Sequence, residues 1–108
     1  MVATEKIRAD LFVMKDDKFA GFTRKLIPNV APERVIGVRA PLLRVYAKGL
    51  RATSAETEFL NDLPHVYLEE NTLHGLLISN MKDPAEILDR LDAFLPFVDN
   101  WATCDAIS

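Results

Sequence analysis

The sequence holds a single cysteine, Cys104, so no internal disulfide can staple the fold, and a reducing compartment is the expectation. No apolar run approaches the roughly 20 residues of a membrane helix. The opening residues, MVATEKIRAD, carry acids and lack a long apolar stretch, so no signal peptide is read there. No membrane partner is expected, and the localisation implied is cytoplasmic. Persuasive strand alternation is missing, and neither Asn-Gly nor Asp-Gly marks a hairpin. Histidine is scarce as well. His65 with Glu69, and Glu70 with His74, are i, i+4 pairs whose spacing could hold a metal ion. No second cluster exists to complete such a site. Ion pairs or backbone hydrogen bonds are therefore the expected use of these four side chains, with no metal and no cofactor.

What is present suits one soluble domain of 108 residues, or part of one, with 49% hydrophobic residues to build a core. The net charge of -3 conceals an asymmetry. Residues 1–51 carry 11 Lys and Arg against 5 Asp and Glu, a net +6; residues 52–108 carry 2 against 11, a net -9. A basic half can attract a polyanion, but it can also be a solvated face, or one that attracts the acidic half.

Helical periodicity recurs along the chain. Residues 3–15 place Ile7, Leu11 and Met14 on one face. Asp16-Asp17 opens a second helix with Phe19, Phe22 and Leu26 on one face, ended by Pro28. Residues 28–41 read as an irregular connection with one helical turn at 32–35. A third helix starts at Pro41, suited to a first helical position, and runs to about Arg51. Its apolar residues are Leu42, Leu43, Val45, Tyr46 and Leu50. Arg44, Lys48 and Arg51 form a basic stripe at i, i+4 and i+7, which could track phosphates or simply face water. Thr53 and Glu56 have capping-box spacing for a fourth helix, closing near Leu63-Pro64. A fifth, at about 64–80, is the most hydrophobic. Asp83-Pro84 starts a sixth, with Ile87, Leu88, Leu91, Phe94 and Leu95 as its buried stripe. Phe94-Leu95-Pro96-Phe97-Val98 then reads as a sharp turn. Asp99 or Asn100 caps a seventh helix, on which Trp101 and Asp105 lie one turn apart on the same face. An aromatic plane beside a carboxylate is a natural receptor for a cation. The reading is all-α: short amphipathic helices, stacked as antiparallel pairs into a solenoid.

Three stretches then matter together: Gly37-Val38-Arg39-x-Pro41-x-x-Arg44-x-x-Ala47-Lys48, the Glu69-Glu70 pair, and Trp101-x-x-x-Asp105. Their order and separation resemble the DNA alkylation repair family, the HEAT-like-repeat alkylpurine DNA glycosylases. The resemblance implies a HEAT-like α-solenoid roughly twice this length. Residues 1–108 would be the N-terminal part of one such domain, truncated, with the C-terminal half absent. The exposed last helix would favour self-association.

The resemblance further implies double-stranded DNA with alkylated bases as partner, and a nucleoid-associated location when bound. The implied reaction is excision of N3- or N7-alkylated purines, without swinging the nucleotide into a tight pocket. Trp101 would contact the lesion's sugar and backbone. Asp105 would stabilise positive charge developing on the sugar and help place water. Arg39, Arg44, Lys48 and Arg51 would bind DNA. A non-catalytic HEAT-like scaffold for damaged or branched DNA is the alternative, and a protein-binding solenoid the third. Alkyl transfer to Cys104 is disfavoured, because Asp105 beside it opposes a thiolate; a buried, inert thiol is expected.

Overall fold

Thr53 and Asp83 both begin helices as their spacing requires. Thr53 Oγ1 accepts from the Glu56 amide at 3.2 Å, and Asp83 Oδ1 from the Ala85 amide at 3.1 Å. The computed structural model describes residues 3–98, 100, 103 and 104. Among them every regular element is helical. The helices are α1 (Ala3–Val13), α2 (Asp17–Leu26), α3 (Ala40–Leu50), α4 (Ser54–Asn61), α5 (Leu68–Ser79) and α6 (Pro84–Phe94). Short 3-10 turns sit at Pro32–Arg34 and Leu95–Phe97, where proline-containing connections were expected. None of these helices is long and apolar enough to cross a membrane.

α5 is the hub. It packs against α3, α4 and α6, while α1 packs against α4. Nine of its twelve residues are buried, so its apolar side chains surround it rather than forming a stripe. Leu73 and Leu77 meet Ile7 and Leu11 of α1, Leu43 and Ala47 of α3, and Phe59 and Leu60 of α4 in one core. A smaller cluster joins Ala20, Ile27, Val30, Val35 and Leu68 beneath the connection that follows α2. Short helices packed around a shared core make the fold all-α and solenoid-like.

Three sequence expectations need correction. α5 starts at Leu68, not near 64, and Tyr67 before it has extended backbone. Glu70, at the third helical position, accepts from the Tyr67 amide at 2.9 Å and the Val66 amide at 3.2 Å, and so fixes the start. On α6, Leu88 is 62% exposed and Leu95 is 51% exposed, so only Phe94 of the expected stripe is fully buried. Ala40 is the first helical residue of α3, with Arg39 as a cap that supplies no side-chain bond.

Glu70 also anchors the opposite side of the molecule. Arg8 of α1 grips it with Nε and Nη2 at 3.2 and 3.3 Å, and Arg8 lies over the Tyr67 ring. The carboxylate is wholly buried, whereas Arg8 keeps 34% of its side chain in solvent. Removing the acid leaves two amides and a guanidinium without their acceptor. Glu70→Ala should therefore cost about 3 kcal/mol of unfolding free energy in urea, the lower end for a broken buried pair because Arg8 is partly solvated. Glu70→Gln keeps acceptors for the amides and should lose less.

Candidate nucleic-acid interface

α2 packs on the fold through one narrow face. Ala20, Thr23 and Ile27 are buried beneath it, but Phe22 and Leu26 are not. These two and Phe19 line one wall of a slot of about 630 Å3, with α3 and α5 on the other side. The apolar face of α2 is therefore the wall of an open groove. Leu43 and Leu76 extend its apolar lining, and Arg44 and Lys48 stand on its α3 side.

The four cations expected to bind DNA divide into two pairs. Arg39 Nε reaches Asp16 Oδ2 at 3.2 Å, and its guanidinium lies 4.9 Å from the centroid of the Phe19 ring. Arg51 Nη1 reaches Glu56 Oε1 at 3.1 Å, just beyond the end of α3. Arg44 and Lys48, one turn apart, have no ionic or hydrogen-bonding partner among the described residues. The remaining arginines of the basic half are engaged: Arg8 with Glu70, Arg24 with the Pro32 and Val35 carbonyls, and Arg34 with the Val66 carbonyl. The arginines of residues 1–51 other than Arg44 are thus tied into the fold, and Arg44 and Lys48 are guanidinium and ammonium groups left open beside the slot.

One acid, Glu69, reaches the same slot. Its oxygens accept from the Ile36 amide at 2.9 Å and the Gly37 amide at 2.8 Å. Both amides belong to the loop that leads into α3. Gly37 has φ +96°, and its carbonyl accepts from the Asp16 amide at 2.8 Å. Asp16 caps α2 through the Phe19 amide; that bond first, and Arg39 after it, holds its carboxyl below the ordinary range. The motif Gly37-Val38-Arg39 therefore sets α2, α3 and α5 relative to one another, and with them the shape of the slot.

The other titratable residues have different roles from those their spacing suggested. His65 Nε2 and His74 Nδ1 are 2.8 Å apart and buried, so the histidines pair with each other and not with the glutamates. No group of metal-ligating side chains large enough to hold an ion occurs among the described residues. Tyr46 donates to Asp10 Oδ2 at 2.6 Å, and burial, then that bond, pushes its hydroxyl pKa upward.

Asn100 lies just after the turn at Leu95–Phe97. Its Oδ1 accepts from the Thr103 amide at 2.8 Å, in keeping with its expected capping role. Cys104 is exposed, not buried as expected. Trp101 and Asp105, the expected catalytic pair, lie outside the described residues.

An all-helical stack with an open, cation-bordered groove is the class that this architecture defines. A family model described as DNA alkylation repair enzyme matches residues 7–108, and the chain belongs to that family. No curated protein and no solved structure matches the chain.

Proposed function

We propose that this chain is the N-terminal part of a HEAT-like-repeat domain that binds alkylated duplex DNA and hydrolyses the N-glycosidic bond of N3- and N7-alkylpurines. The observation that carries the reading is the unpaired couple Arg44 and Lys48 on the slot, in a chain of the DNA alkylation repair enzyme family. Phosphate oxygens would replace the acids that the other arginines already hold. Arg39 and Arg51 flank the couple and contribute as their ion pairs open.

The chemistry asks little of the protein beyond electrostatics. An alkylated purine is cationic and leaves readily, so the barrier lies in the oxocarbenium-like sugar. A fixed carboxylate stabilises that charge, which is the role assigned to Asp105. Trp101 would lie against the lesion's sugar and backbone.

Two measurements test the reading. Arg44→Glu with Lys48→Glu should weaken duplex binding about tenfold or more and flatten the salt dependence by about two phosphate contacts. Unchanged affinity would remove the interface. In the full-length protein, release of 7-methylguanine from methylated DNA should occur and should vanish in Asp105→Asn, while binding persists. The second reading is a scaffold that binds damaged DNA without cutting it. It is favoured by Asn100 and Ala102, which leave Trp101 without the adjacent aromatic that catalytic members often carry. Binding without release in the wild type would select it.

A further inference from the structure

We propose that the slot between α2, α3 and α5 holds an unstacked nucleotide of single-stranded DNA, with phosphate on Arg44 and Lys48 and the base against the ring of Phe22. This rests on the DNA-binding reading above and adds a ligand form to it.

A volume of about 630 Å3 lies within the range typical of small-molecule sites and cannot admit a duplex. Its two phenyl rings are not equivalent. Phe19 has the Arg39 guanidinium over its ring, whereas Phe22, tilted by 33° with its centroid 6.5 Å away, is 58% exposed. An open aromatic face beside unpaired cations is the combination with which proteins hold single strands, because every base has a π-face and every nucleotide a phosphate. A base inside a duplex is already stacked and cannot offer its face, so the slot selects for unpaired nucleotides. Charge complementarity points the same way. The carboxylate of Glu69 is turned to the Ile36 and Gly37 amides, and the cations nearest the slot have no acid of their own.

Two of the polar side chains at the slot would not read base identity. The hydroxyls of Thr72 and Ser79, which border it, donate to the Leu68 and Leu76 carbonyls of their own helix. They are left with acceptor capacity but no free proton for reading a base edge.

The test compares a short oligothymidylate with a duplex of equal length, by fluorescence anisotropy at two salt concentrations. Phe22→Ala should weaken oligothymidylate binding roughly tenfold and leave duplex affinity unchanged. Phe22→Trp should restore it. Arg44→Glu should weaken both. Because Phe22 is exposed, its loss should not unfold the chain, and circular dichroism checks this. Amide shifts on adding oligothymidylate should concentrate on α2, α3 and α5. An unchanged affinity in Phe22→Ala, an equal loss for both DNA forms, or shifts on the opposite face would each overturn the proposal. So would shifts with dodecanoate but none with oligothymidylate, which would reassign the slot to an amphipathic carboxylate. Wild-type protein that binds the duplex with salt sensitivity but never the single strand sinks this inference alone. Failure to bind either form sinks the DNA reading itself.

Discussion

Gly37→Ala should lower the urea unfolding midpoint sharply. Two independent effects add at this position. Its φ of +96° strains any residue that carries a Cβ. The added carbon would also lie 2.6 Å from Ala20 Cβ and 2.7 Å from the Asp16 carbonyl oxygen. Neither neighbour is the end of a flexible side chain, so α2 itself would have to move. Backbone strain of about 1–2 kcal/mol and overpacking of about 1–3 kcal/mol give a loss of roughly 2–5 kcal/mol. That is a large share of the 5–15 kcal/mol typical of a domain. The displacement would also stretch the bonds from Ile36 and Gly37 to Glu69, both buried. Gly49→Ala is the control. It is a helical glycine with nothing within 4 Å of the new carbon, so the change should stabilise by up to about 1 kcal/mol. Urea unfolding of the two variants side by side checks the claim, and equal midpoints would refute it.

Caps at Thr53 and Asp83, the helix ends imposed by prolines, and the all-α class follow from local rules, and the structure keeps them. The start of α5 was misread because Pro64 imitates a first helical residue, while the residue that fixes the start, Glu70, acts from inside the helix. The slot was invisible for a more general reason. Periodicity tells which residues share a face, not what covers that face. Phe19, Phe22 and Leu26 have core spacing, yet no described helix packs across them closely enough to close the gap. The split among the cations depends on Asp16 and Glu56 finding Arg39 and Arg51. In a linear stripe, Arg44, Lys48 and Arg51 look alike.

Mild acid should destabilise the fold, because of a column of four aromatic rings. Phe59 stacks on His65 at 4.2 Å between centroids, His65 pairs with His74, and His74 stacks on Phe94 at 4.1 Å. The column ties α4, the turn before α5, α5 itself and α6. Among the described residues neither His65 Nδ1 nor His74 Nε2 has a hydrogen-bond partner, so a proton there would bring an unsolvated charge. Burial lowers His65 to about 4, although Glu70 and Asp62 pull it upward. Burial, with His65 and Arg90, lowers His74 to about 3. Both folded values lie below the unfolded 6.5. Above that pH neither state binds a proton, and the pair adds no pH dependence. Below it the unfolded chain takes up protons that the fold refuses, so stability falls with falling pH until the folded values are reached. At pH 5 the loss is about 2 kcal/mol for each histidine, since each pH unit is worth about 1.36 kcal/mol. Urea midpoints at pH 7 and pH 5 should therefore differ by about 4 kcal/mol in unfolding free energy. His74→Leu should retain about half of that dependence, whatever its stability at pH 7, because one titrating ring remains. A variant with the full wild-type dependence would mean that the carboxylates, not the ring column, govern the response to acid.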